Sequence, residues 1–102
     1  MGETARLRIG SLEFEWDIDK AASNLRKHGV SFVEAVTAFS DRLSLTINDP
    51  DHWEDEDRFL LVGLSVDRRL LVVVHVVRDV RYRIISARKA GKHERKNYEE
   101  NS

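Results

Sequence analysis

The stretch RLLVVVHVVRDVRYRIISARKAGKHERKNY, residues 69–98, decides the fold. Its first part, residues 69–77, is apolar and rich in β-branched side chains, and a short turn separates it from a second run over residues 81–87. Two such runs joined by a tight connection predict a β-hairpin. A basic, polar segment follows, and we predict a short C-terminal helix over residues 92–100. Cations thus gather at one end of a rigid sheet, which suits a phosphate-rich ligand because guanidinium groups bind phosphate oxygens bidentately.

A strand and a helix are predicted near the N-terminus. Apolar residues alternate with glutamates over residues 12–16, which predicts a strand with one buried face. Asp17 can cap a following helix, and Gly29 can adopt the left-handed conformation just past the helix end at His28. Residues 1–11 carry little signal, and we expect a disordered lead-in there.

A second helix and two further strands precede the hairpin. Ser31 and Glu34 form a capping-box pattern, in which each side chain satisfies a backbone donor at the helix start. This helix should end near Ser40. Apolar and polar residues then alternate over residues 43–47, which predicts a half-buried strand, and residues 58–64 form the next strand.

The order of these elements predicts a single α+β domain over residues 1–102. The N-terminal strand and two helices should pack on one face of an antiparallel sheet of about four strands, with the short C-terminal helix at the end. The other face of the sheet would then be free to carry a binding site.

The composition describes a small protein of balanced charge, with 17 Lys and Arg against 18 Asp and Glu. No apolar run is long enough to cross a membrane, and the N-terminus lacks the pattern of a secretory signal. The absence of Cys excludes disulfides and fits a reducing compartment. These observations predict a cytoplasmic protein.

The charges are unevenly distributed along the chain. The loop over residues 49–57 is strongly acidic and contains Trp53, whereas the last quarter is strongly basic. Solvated faces of opposite sign are the ordinary explanation of such runs. The alternative is a phosphate-binding surface that the near-zero net charge of the whole chain conceals. The acidic loop would then contact a basic partner through its aromatic residue.

Metal and cofactor sites are not predicted. The four histidines, at positions 28, 52, 75 and 93, show no ligand spacing. The aspartates of residues 49–57 lack the Gly and Glu that a calcium loop requires. No Gly-rich phosphate loop is present, so we expect a protein that works without metal or organic cofactor.

Several short motifs, taken in order, resemble the BrnT family of bacterial toxins. In the first half they are Phe14-Glu15-Trp16-Asp17, then Lys20-Ala21 with Asn24, and then residues 27–32. In the second half they are Arg58, residues 69–75 and residues 81–90. The resemblance covers roughly residues 12–98, and the shared order makes it specific although each motif alone is weak.

The resemblance implies a RelE/ParE-like fold and a function in a type II toxin–antitoxin pair. BrnT toxins inhibit growth by cleaving RNA, and a BrnA antitoxin neutralises them. The complex represses its own operon through the antitoxin, so contact with operator DNA would be indirect. We therefore expect an endoribonuclease bound by a BrnA-like antitoxin, as a dimer or a heterotetramer. Two alternatives stay open: a non-enzymatic toxin similar to the gyrase-poisoning ParE branch, and an inactive protein that retains only antitoxin affinity.

Metal-free RNA cleavage requires cations at the scissile phosphate. Arg81 and Arg83 share one strand face, and Arg88 and Lys89 follow where the strand ends. Arg58, at the start of its own strand, supports them. These five residues are our candidate phosphate ligands, and solvent-facing surface charge is the alternative explanation.

A titrating group is also required, and His75 or His28 is our candidate. His75 lies in an apolar strand, so a hydrogen-bonded core histidine is an equally good explanation. Lys27 and His28 lie where the helix dipole already favours cations, so these two residues and Arg95 are secondary candidates for substrate contact. The interpretation requires that the arginines converge without being bound to the protein's own carboxylates.

Overall fold

The computed structural model describes residues 2–52, 54–55 and 57–101. Trp53, the aromatic residue of the acidic loop, lies outside the described residues. Six strands, three α-helices and two short 3-10 helices, at Ala38–Ser40 and Pro50–His52, make up the fold. In chain order the strands and α-helices are β1 Thr4–Ile9, β2 Leu12–Asp17, α1 Ile18–His28, α2 Phe32–Thr37, β3 Leu45–Asn48, β4 Arg58–Leu64, β5 Leu70–Arg78, β6 Arg81–Lys89 and α3 Lys92–Glu100. No helix of this part of the chain is long and apolar enough to span a bilayer.

The sheet has the strand order β1-β2-β6-β5-β4-β3. Adjacent strands of the sheet are antiparallel except β2 and β6, which run parallel. The α+β class is therefore confirmed, but the expected antiparallel sheet of about four strands is wrong: the sheet is mixed and has six strands. The parallel pair brings the N-terminal hairpin next to the last strand.

Strand β1 replaces the expected disordered lead-in. Ala5, Leu7 and Ile9 pack against the core, and the residues between them are exposed. Gly10, with φ 60°, makes the tight turn into β2. The alternation of apolar and charged residues over residues 5–9 is a local signal for this strand.

The boundaries of α1 agree with the prediction. The Asp17 carboxylate accepts hydrogen bonds from the backbone N–H groups of Asp19 and Lys20 at 2.8 and 3.1 Å. Gly29 ends the helix with φ 69°, a conformation that glycine adopts at little cost. Local capping chemistry thus fixes both ends of this helix.

Helix α2 has only half of the predicted capping box. Ser31 Oγ accepts from the Glu34 N–H at 3.0 Å. The Glu34 carboxylate instead turns to the β4–β5 connection, where it accepts hydrogen bonds from Ser65 Oγ and from the Arg69 guanidinium. The Glu34 side chain therefore ties α2 to the sheet rather than to its own helix start.

The edge strand β3 is shorter and more exposed than predicted. It begins at Leu45, and Leu43 and Ile47 are 49% and 55% exposed. Because β3 pairs only with β4 in the described sheet, its apolar residues pack on one neighbouring strand and not in a closed core.

Buried clusters lie on both faces of the sheet. The larger cluster lies under α1 and α2 and includes Phe14, Phe32 and Ile84. The smaller one, Val62, Leu70 and Val72, packs against Ala90 and Tyr98, so α3 lies on the opposite face. The expectation that one face carries no helix is therefore wrong. The remainder of that second face, over β1, β2, β6 and the adjoining ends of β5 and β4, is called the open face below.

Candidate functional site

Charged side chains form two rows across the open face. Residues paired directly across neighbouring strands project from the same side of a sheet. The first row is Arg8, Glu13, Arg81 and Arg78. The second row is Arg6, Glu15, Arg83, Val76 and Arg58. The strand register therefore brings three predicted site residues, Arg58, Arg81 and Arg83, to one face.

Arg83 is held in place by the carboxylate next to it in the second row. Its Nη1 donates a hydrogen bond to Glu15 Oε2 at 2.8 Å. The side chains of Arg83 and Glu15 are 23% and 13% exposed, so the pair is largely shielded from water. This contact fixes the orientation of the guanidinium group.

Arg58, at the other end of the second row, is bound to a buried carboxylate. Its Nε donates to Asp49 Oδ2 at 2.9 Å, and the same oxygen contacts His52 Nδ1 at 3.2 Å. Asp49 is 4% exposed, whereas the His52 side chain is 42% exposed. The structure thus joins an arginine, a buried aspartate and an accessible histidine.

Arg88 lies where β6 leads into α3, and Glu94 binds it through both oxygens. Arg88 Nη1 and Nη2 donate to Glu94 Oε1 and Oε2 at 2.8 and 2.6 Å. This hydrogen bonding lowers the pKa of Glu94 and raises the pKa of Arg88, so both groups are charged at neutral pH. Glu94 Oε1 also accepts from the Gly91 N–H at 2.7 Å, so the pair holds the start of α3.

The requirement that the arginines stay unpaired is not met. Arg58, Arg83 and Arg88 each form an ion pair with a carboxylate of the chain. Within the part of the chain that the structure describes, Arg81 forms no ion pair. The carboxylates come from β2, from the acidic loop and from α3, whose positions next to the arginines depend on tertiary structure.

His75 lies on the other side of the sheet. It is 2% exposed, and its ring packs on Phe39, Phe59 and Tyr82 with centroid distances of 4.9, 5.8 and 5.7 Å. Burial lowers the pKa of His75, so the ring is neutral, and its Nδ1 lies 3.3 Å from the Val73 carbonyl oxygen. The structure does not bring His75 to the open face with the arginines.

The remaining predicted residues are dispersed. Lys89 pairs with Leu71, a residue of the larger cluster, so it projects to the face opposite Arg88. Lys27 and His28 are exposed in the last turn of α1, the helix that packs against that same cluster. Arg95 is exposed on α3.

Sequence reasoning missed several charged residues of this region. They are Arg6, Arg8, Glu13, Glu15, Asp49 and His52. Alternation with apolar residues over 5–9 and 12–16 was a usable signal for the first four. An Asp and a His three residues apart meet within one helical turn, which was a usable signal for the last two. No group of three or more potential metal ligands occurs among the residues that the structure describes.

Comparisons with known proteins match this chain to one family model and to a solved structure. The model of a family described as the ribonuclease toxin BrnT of type II toxin–antitoxin systems matches residues 16–94. The fold is similar to that of the crystal structure of the Brucella abortus ribonuclease toxin BrnT, with a TM-score of 0.59 and 21% identity, over 76% of this chain and 94% of that chain. No curated protein gives a significant match.

Proposed function

Because this chain belongs to the BrnT family of ribonuclease toxins of type II toxin–antitoxin systems, we propose that it is an endoribonuclease that cleaves RNA without a metal ion. By cleaving RNA it inhibits translation and growth. The observation that supports this proposal most directly is the placement of Arg58, Arg81 and Arg83 on the open face.

The ion pairs leave donors for a substrate. A guanidinium group has five N–H donors, and among the described residues Glu15 takes one hydrogen bond from Arg83. In the described part of the chain, Asp49 likewise takes only the Nε donor of Arg58. Arg88 is more fully engaged, because Glu94 binds both of its terminal nitrogens. Arg81 and Arg83 are therefore the principal phosphate ligands, Arg58 is the next, and Arg88 mainly positions α3.

The second row also has a suitable gap. Arg83 and Arg58 flank Val76 on neighbouring strands, so their Cα atoms lie roughly 10 Å apart. Both long side chains can extend over the short valine toward one phosphate group. Losing one donor to a developing oxyanion typically costs 10²–10³-fold in rate, so each of these contacts should matter.

Cleavage of labelled RNA by the purified chain in excess EDTA tests the proposal. We expect cleavage, and a loss of about 10²–10³-fold in Arg83→Gln. Arg26→Gln is the matched control, because Arg26 is exposed on α1, away from the open face. Uncut RNA with the wild-type chain would contradict the nuclease proposal, and inhibition of gyrase by that same chain would indicate the non-enzymatic ParE-like alternative. Cleavage abolished by EDTA would contradict metal independence.

A BrnA-like antitoxin is the proposed protein partner, and it would neutralise the toxin by covering the open face. Charge reversal of Arg81, which forms no ion pair within the described residues, should then weaken antitoxin binding measured by calorimetry. An unchanged affinity of Arg81→Glu would place the antitoxin on another surface.

A further inference from the structure

The short helical turn Pro50–His52 holds a histidine in the geometry of a general base. His52 Nδ1 lies 3.2 Å from the Asp49 carboxylate, whose Oδ1 and Oδ2 also accept from the Asp51 N–H at 3.0 Å and from Arg58 Nε at 2.9 Å. His52 Nε2 forms no hydrogen bond within the described residues. A buried carboxylate that fixes one ring nitrogen and leaves the other free is the arrangement by which an aspartate orients a catalytic histidine.

We infer that His52 is the general base of RNA cleavage and that Asp49 is its positioning residue, at the Arg58 end of the second row. This inference rests on the proposed ribonuclease function and extends it to a residue that sequence reasoning did not select. RNA whose phosphate lies over Val76 between Arg58 and Arg83 would have its 2′-hydroxyl near this end of the row.

The proposed step transfers two protons and exchanges one bond at phosphorus. His52 Nε2 takes the proton of the ribose 2′-hydroxyl, and the 2′-oxygen forms a bond to phosphorus. The bond from phosphorus to the 5′-oxygen breaks, and that oxygen takes a proton from water. The products are a 2′,3′-cyclic phosphate and a 5′-hydroxyl, and no oxidant or reductant is needed. Arg58 and Arg83 offset the charge that develops on the phosphate oxygens.

Asp49 can perform the positioning role because it stays ionised. Burial alone would raise its pKa, but hydrogen bonds from Arg58 and from the Asp51 N–H outweigh burial and hold the pKa of Asp49 below its ordinary value. The carboxylate therefore favours the Nδ1–H tautomer of His52 and stabilises the imidazolium formed during the reaction.

The surroundings of His52 are mixed in charge. Arg58 approaches Asp49 from β4, and Asp51 and Asp55 are joined to the same turn by hydrogen bonds from their backbone N–H groups. The other three histidines are placed less favourably: His75 is buried on the opposite face, and positions 28 and 93 lie on α1 and α3.

The first test is the rate and pH profile of RNA cleavage by His52→Asn, whose amide can retain the contact with Asp49. We expect a loss of about 10²–10⁴-fold in rate, disappearance of the acid limb of the profile, and affinity for RNA within a few-fold of wild type. His93→Asn, which alters an exposed histidine on α3, is the control and should cleave normally. A wild-type chain that does not cleave refutes the proposed function itself. Normal cleavage by His52→Asn with an intact acid limb refutes only the role of His52.

Two further measurements do not depend on the folding of His52→Asn. Asp49→Asn should lower kcat while leaving the affinity for RNA within a few-fold of wild type, and Asp49→Glu, which keeps a carboxylate, should regain part of that kcat. Equal rates in the two variants would show that the carboxylate charge does not matter and would overturn the assignment of Asp49. The wild-type products should carry 2′,3′-cyclic phosphate ends. Products with 5′-phosphate ends would show that the 2′-hydroxyl is not the nucleophile and would overturn the inference.

Discussion

Replacing Asn24 by Leu should destabilise the protein severely, because this buried amide substitutes for a missing strand neighbour. Strand β2 pairs with β6 only over residues 81–83, so the edge of β6 is open at Ala87. Asn24 Nδ2 donates to the Ala87 carbonyl at 2.8 Å, and its Oδ1 accepts from the Ala87 N–H at 3.1 Å. Nδ2 also donates to the Val30 carbonyl at 2.9 Å. One side chain thus satisfies three backbone groups and joins α1 to β6.

The size of the effect follows from these contacts. Leu has the same branching at Cγ as Asn and is larger, so the substitution removes three hydrogen bonds without opening a cavity. Because Asn24 is 6% exposed, water does not easily replace them. An unsatisfied buried group costs about 1–3 kcal/mol, which gives a loss of about 3–9 kcal/mol for the three. That is a large part of the roughly 5–15 kcal/mol by which a domain is stable.

Urea unfolding, followed by circular dichroism and by the fluorescence of the buried Trp16, measures this loss. With a slope of about 1–3 kcal/mol per M, the midpoint should fall by at least about 1 M. Ser23→Ala, at an exposed position of the same helix, is the control and should change stability by less than about 0.5 kcal/mol. A loss below about 1 kcal/mol in Asn24→Leu would refute the argument that the amide replaces a strand partner.

Three further predictions concern pH and stability. Burial lowers the pKa of His75 below its unfolded value of 6.5, so the free energy of unfolding should fall as the pH drops below about 6.5. His75→Phe should remove this dependence, as measured by urea unfolding at pH 5 and pH 7. The hydrogen bond to Asp41 raises the pKa of Tyr98 from 10.0 to about 12, so its stabilising effect should be complete below about pH 10 and lost as the pH rises through about 12. Tyr98→Phe should lack that alkaline loss and be about 1 kcal/mol less stable at pH 8, as measured by unfolding across this range. The hydrogen bond from Arg69 lowers the pKa of Glu34 from 4.5, so the stabilisation by the ionised Glu34 carboxylate should be present above pH 4.5 and disappear at lower pH. Equal loss of stability in acid by wild type and Glu34→Gln would contradict this.

Elements with local signals could be predicted from the sequence. Asp17 and Gly29 define α1 by capping. The apolar runs of β5 and β6 are joined by residues 79 and 80 alone, a connection so short that the two strands must pair as an antiparallel hairpin. The parallel pairing of β2 with β6 has no such signal, because it joins Glu15 to Arg83 across 68 positions. Helix α1 contacts both strands from one face of the sheet, so their pairing belongs to the tertiary structure and not to a local signal.

The candidate site was predictable to a smaller extent. The period of two along β6 correctly placed Arg81 and Arg83 on one face. Their carboxylate neighbours could not be predicted, because Glu15 belongs to a distant strand. His75 projects from the same face of β5 as Leu71 and Val73 of the larger cluster. Its contacts with aromatic side chains from other elements, and not its own sequence context, show that it is a core residue.

The parallel contact between β2 and β6 also determines when during synthesis the open face can assemble. Until residues 81–83 have left the ribosome, β2 lacks its inner neighbour, and the emerged part of the chain contains neither Arg81 nor Arg83. Contacts this distant along the chain form late in folding. Under the proposed function, a nascent chain therefore lacks its complete phosphate-binding surface for most of its translation.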